Sequence, residues 1–184
     1  MQVKGSVVKS VSEFVKSEHS SGFEAWLKKL PQASHSIYTK PILATDWYPV
    51  DEGVIIPTRL ISDLFFSDPK KAAWASGRYS AHTALTGIYK VFVLISTPAF
   101  MMSTARKILA AFYDPTSLEV VRSDSKSMCI HITQMPKPDL VLEHRIGGWT
   151  ERALEICGCK QLKIKITKSM AAGDAYTEYD ISWT

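Results

Sequence analysis

Few side chains in this sequence combine the types and spacings that acid–base, nucleophilic or metal chemistry requires. Five histidines, His19, His35, His82, His131 and His144, could each in principle act as a base. The three cysteines are Cys129, Cys157 and Cys159. Cys129 and His131 fall on the same side of one expected strand, and Cys157-Gly158-Cys159 lies at an expected helix end. Structural zinc uses paired C-x-x-C arrangements, or C-x-x-C with H-x-x-x-H, and neither is present. No metal is expected, and the cysteines read as reduced, small apolar residues. There is no G-x-G-x-x-G, P-loop, G-x-S-x-G or H-E-x-x-H either, so no catalytic residue is assigned and no cofactor is expected.

A binding face is better supported. Trp74, Arg78, Ala81 with His82, Leu85, Tyr89 and Phe92 recur every three or four residues, which puts them on one side of a helix. Burying Arg78 or His82 without partners would cost several kcal/mol. They must therefore reach the edge of the core or meet a polar group, which a ligand could supply. With Tyr79, Phe100 and Phe112 near, the stripe has the make-up of a small-molecule pocket, mostly apolar with a few orienting donors. Trp74, Arg78, Tyr79, His82, Tyr89 and Phe100 are the expected ligand-binding residues. The alternative is a core stripe whose polar pair bonds to backbone or to a carboxylate.

Composition bounds what such a face can serve. At 184 residues, 46% hydrophobic and 22% charged, the chain can bury a core without disulfides, and residues 1–184 read as one ligand-binding-type domain. The net charge of +4 comes from 22 basic and 18 acidic residues, with Lys28-Lys29 and Lys70-Lys71 standing apart, which argues against nucleic acid. The longest apolar segment, Val91 to Met102, is interrupted by Ser96, Thr97 and Pro98 and is too short to span a membrane. The amino terminus lacks a signal peptide's apolar run, and with an odd number of cysteines this suggests a cytoplasmic protein.

The elements that would position the stripe follow from periodicity. Val7, Val8, Val11, Phe14 and Val15 predict a helix, and Phe23, Trp26, Leu27 and Leu30 a second after Ser20-Ser21-Gly22. Tyr38 to Tyr48 reads as irregular. A third helix runs over Val54 to Phe65, and Asp68-Pro69 starts a long one reaching Ile95. Another begins at Pro98 and is closed by Asp114-Pro115. The period then changes to two: Leu118–Val121 and Met128–Thr133 predict a hairpin. A helix stopping at Gly158 and a second hairpin turning near Gly173-Asp174 complete the chain. The expected class is α+β, with a helical amino-terminal two thirds on a four-stranded antiparallel sheet made of two hairpins separated by a helix.

The segment Ser169-Met-Ala-Ala-Gly-Asp-Ala-Tyr-Thr177-Glu-Tyr-Asp-Ile-Ser-Trp183, preceded by Gly147-Gly-Trp-Thr-Glu-Arg-Ala-Leu-Glu-Ile-Cys-Gly158, resembles the end of the 4-vinyl-reductase domain. In that family a helix with small residues ends in glycine, and a strand leads to Cys-x-Ala-x-Gly-Asp-x-x-Cys-x-Phe. Ala171, Gly173 and Asp174 match, Tyr179 stands at the aromatic position, and Ser169 and Thr177 replace the cysteines. The resemblance covers about the last forty residues. It implies a fold shared with TRAPP vesicle-transport subunits and haem-nitric-oxide sensor domains, binding small apolar ligands and commonly forming homodimers. Some relatives hold zinc through the cysteines; their loss here argues against zinc. The chain also lacks the Tyr-x-Ser-x-Arg sequence that haem-binding relatives use for the propionates, which argues against haem.

The leading expectation is a sensor or carrier for an apolar or aromatic small molecule. A second is a ligand-free dimeric scaffold of the TRAPP-subunit type, with contacts through Gly147, Gly148 or the Phe100–Phe112 helix. A third, a tetrapyrrole-related enzyme, has no residue to support it.

Overall fold

Alternation of side chains along the second half of the chain becomes a sheet in the computed structural model, which describes residues 1–86 and 98–184, with side chains of the helix at 98–112 described from Thr104. The amino-terminal part comprises β1 (Gln2–Lys4), α1 (Gly5–Glu18), α2 (Phe23–Lys29), α3 (Gln32–Tyr38) and β2 (Trp47–Pro49). Next come α4 (Ile56–Ile61), flanked by π-helical turns over Asp51–Ile55 and Ser62–Phe66, then α5 (Pro69–Thr86) and α6 (Pro98–Phe112). The rest is β3 (Tyr113–Asp114), β4 (Ser117–Ser123), β5 (Ser127–Gln134), α7 (Leu140–Ile156), β6 (Lys163–Lys168) and β7 (Thr177–Ser182). The expected α+β class is observed.

Both expected hairpins are present, and β7 joins them edge to edge in an antiparallel sheet of order β4-β5-β7-β6. Cross-strand partners share a face, because successive side chains point to opposite sides. Ile130 faces Tyr179 and Met128 faces Ile181, and all four enter the core. The offset set, Cys129 opposite Asp180 and His131 opposite Glu178, forms the other face.

Caps fix where the helices start. Asp68 Oδ1 accepts from Lys70 N at 2.9 Å with Pro69 in the first helical position, and Asp139 Oδ1 accepts from Val141 N at 2.8 Å to open α7. Asp139 Oδ2 also takes Arg59 Nη2 at 2.7 Å, fastening α4 to the start of α7.

Helices α5 and α7 meet backbone to backbone. A Cβ on Gly77 would stand 2.1 Å from the Arg145 carbonyl oxygen, and one on Gly148 2.1 Å from that of Trp74. Only glycine permits this approach.

The amino-terminal third departs from the periodic reading. Val3, ahead of the first predicted helix, lies in a strand, because β1 pairs with both β2 and β3 in a small second sheet. Helix α3 occupies the polar stretch around Ser34-His35-Ser36, where Ser34 is buried. Its Tyr38 hydroxyl donates to Gly53 O at 2.6 Å, and its ring packs edge-on to buried Trp26. The expected continuation of α5 to Ile95 lies outside the described residues.

Candidate functional site

Between the helices and the sheet lies a cavity of about 470 Å³. Helix α1 contributes Val7 and Ser10, α5 contributes Ser80, Thr83 and Ala84, and α6 contributes Ala105, Ile108, Leu109 and Phe112. Leu118 and Ile130 come from the sheet, and α7 supplies Arg145, Ile146, Trp149 and Ala153. Exposed Lys9, Ala44 and Thr45 stand at its mouth, where Lys9 Nζ lies 3.6 Å from Glu13. The walls are mostly apolar, as small-molecule sites usually are.

Its wall holds a polar knot around Arg145, which is 2% exposed. Nη2 donates to Ser10 Oγ at 2.8 Å and reaches Val7 O at 3.5 Å, while Nη1 donates to Ser76 Oγ. Ser10 Oγ donates to Val7 O at 2.7 Å, and Ser80 Oγ lies 3.1 Å from Ser10 Oγ. Burial pushes the Tyr113 phenol above its usual pKa, and neighbouring Arg145 partly offsets that.

Four of the sequence-expected residues, Trp74, Arg78, Tyr79 and His82, lie beside this cavity rather than along it. Trp74 Nε1 donates to Glu151 at 2.8 Å, and Arg78 donates to Glu151 and, through both terminal nitrogens at 2.9 Å, to Glu155. His82 Nδ1 is 3.1 Å from Arg152 Nη2 and is exposed. Those three therefore share one face of α5, turned to the charged side of α7. The polar groups that Arg78 requires are carboxylates of this chain. Tyr79 packs on Phe14 with ring centres 5.6 Å apart. The cavity takes Ser80, Thr83 and Ala84 from another flank of α5. Tyr89 and the Phe100 side chain lie outside the described residues, whereas Phe112, on α6, does line the cavity.

Sequence reasoning missed two buried charged side chains of α7, Glu143 and Arg145. Glu143 is 1% exposed and accepts from Ser169 Oγ and Thr177 Oγ1, both at 2.6 Å, and from Ala171 N at 3.1 Å. The two hydroxyl positions are those where the 4-vinyl-reductase pattern has cysteines. Here they bind a carboxylate. Gly173 at φ 102° turns the segment, and Asp174 accepts from Ser169 N at 2.7 Å. The one signal in the sequence was a pair of charged residues lying between the stripe positions Leu142 and Ile146.

A second compact group lies on the outer sheet face, where one ligand atom each from Cys129, His131 and Glu178 all fall within 4.8 Å of one another. His131 Nε2 is 2.7 Å from Glu178 Oε2, and its ring stacks on Tyr176. Thr167 and then His131 hold the Glu178 carboxyl below its usual range, while burial pushes the Cys129 thiol up. These interactions leave the histidine and carboxylate already engaged with each other.

No family model matches the sequence, and no curated protein matches it. Solved structures do. An H-NOX protein from S. oneidensis in the Fe(II)NO ligation state is 12% identical with a TM-score of 0.76, covering 98% of this chain and 99% of that one. An unliganded Fe(II) H-NOX protein from K. algicida is 9% identical at 0.72, covering 98% and 96%. The chain shares the fold of these H-NOX domains. That is the fold the carboxyl-terminal resemblance implied for haem-nitric-oxide sensors.

A haem held through its iron does not fit the described residues of this cavity. All five histidines and all three cysteines are described, and none lines it. His144 Nδ1 is 2.8 Å from Leu140 O, and His131 and His82 are engaged as above. Among the described lining residues only Tyr113 belongs to a class that can ligate haem iron, and burial favours its neutral phenol.

Proposed function

We propose that this chain binds a small, mostly apolar or aromatic molecule in the α1–α5–α6–α7 cavity and serves as a sensor or carrier for it. The observation that carries this reading is the cavity itself, about 470 Å³ with mostly apolar walls and a buried arginine. Those are the dimensions and lining of a small-molecule site. The H-NOX fold supports it, because the similar structures are named for iron, NO and CO ligation. Kinship with 4-vinyl-reductase domains is part of the proposal and rests on the Ser169–Trp183 segment alone.

Native mass spectrometry of protein purified from its host, followed by denaturation, tests the reading. One small molecule released per chain is the expected result. Protein that is empty, and that takes up no small molecule from a host extract, would overturn it.

Association of two copies is the second reading. Gly147 and Gly148 cannot serve it, being buried against Trp74. The edge strand β4 favours it, with Val120 39% and Val121 49% exposed. No helix among the described residues is long and apolar enough to cross a membrane.

A further inference from the structure

The buried Arg145 guanidinium in the cavity wall has no ion-pair partner among the described residues. Every Asp and Glu of the sequence is among them, since residues 87–103 contain neither. The acceptors Arg145 does meet are Ser10 Oγ, Ser76 Oγ, Val7 O and the Tyr113 hydroxyl, which burial keeps as the neutral phenol, so none carries a charge. A guanidinium taken out of water onto neutral acceptors alone is costly. The arrangement persists in the wall of a mostly apolar chamber, where Arg145 is the one buried cation among the described lining residues. A bound carboxylate would supply the missing charge in the fork geometry that guanidinium favours.

Given that the cavity is a ligand site, we propose that its ligand is an amphipathic monocarboxylate: an aliphatic or aromatic body in the apolar chamber, with its carboxylate on Arg145 and the hydroxyl of Ser80. A single negative charge is indicated because the one other cation lining the cavity among the described residues, Lys9, is exposed at the mouth beside Glu13. A doubly charged phosphate would find one buried partner where it needs two.

The test is isothermal titration of the full chain with sodium octanoate and with 1-octanol, which share a body and differ in the head group. Octanoate is expected to bind about ten- to a hundred-fold more tightly, as a charge-assisted hydrogen bond implies. In Arg145→Met that preference is expected to disappear while octanol affinity stays within about threefold. Arg145→Lys, which keeps the charge without the fork, gives the same reading if the Met variant does not fold, through a fall in octanoate affinity alone. Equal binding of the two probes to the wild type, or a preference that survives in Arg145→Met, would overturn the carboxylate assignment and leave the cavity reading standing. Binding of neither probe would remove both.

Discussion

Replacing Glu143 by alanine should detach the carboxyl-terminal hairpin from helix α7. The carboxylate is 1% exposed and accepts three hydrogen bonds, from Ser169 and the Ala171 amide in the segment joining β6 to β7 and from Thr177 at the start of β7. Hydrogen bonds to a carboxylate contribute about 1.5–3 kcal/mol each, and three sharing one acceptor group are not additive. The two hydroxyls can rotate toward other acceptors, whereas the backbone amide cannot. A net loss of about 3–5 kcal/mol follows, a large share of the roughly 5–15 kcal/mol that holds a domain folded. At this chain length it corresponds to a fall of about 6–20 °C in melting temperature. Glu143→Gln keeps one carbonyl oxygen for Ala171 and should lose only about 1–2 kcal/mol. Urea titrations followed by far-ultraviolet circular dichroism measure both variants, and amide hydrogen exchange over residues 169–177 localises the effect. A loss below about 1 kcal/mol in Glu143→Ala would refute the view that this carboxylate fastens the hairpin.

Two further substitutions probe the α5–α7 contact. Gly148→Ala forces a methyl group to within 2.1 Å of the Trp74 carbonyl oxygen, and with backbone on both sides the helices must separate, at a cost of about 1–3 kcal/mol or more, read as a lower urea midpoint. Glu155 is held below the usual carboxylate range by Arg78 first and Arg152 next. A lowered folded pKa contributes stability that is complete above the unfolded value near 4.5 and is lost as pH falls through the folded value. Urea midpoints at pH 7, 4 and 3 should therefore fall more steeply for the wild type than for Arg78→Met. Parallel pH profiles would show that the pair adds no pH-linked stability.

Local signals were sufficient for much of the fold. The two hairpins announced themselves by alternation, α5 by Asp68-Pro69, and the last turn by Gly173-Asp174, because each depends on residues within a few positions of one another. The α+β class follows from their order. Strands β1, β2 and β3 were not legible, since runs of two or three residues show no period, and Gln2 pairs with Pro49 and Asp114, far along the chain.

The polar chemistry divides the same way. The sequence placed Trp74, Arg78 and His82 on one helix face and required a polar partner for Arg78. Tertiary structure alone decided that the partners are Glu151 and Glu155 of α7, and that the cavity opens on another flank of α5. It alone decided that Glu143 and Arg145 are buried. A helix period tells which residues share a face, but not what other segments bring to it. Here Ser169 and Thr177 come from the final hairpin, and Ser10 and Ser76 from α1 and α5. A charged side chain can stay inside a fold only where such distant donors and acceptors converge on it.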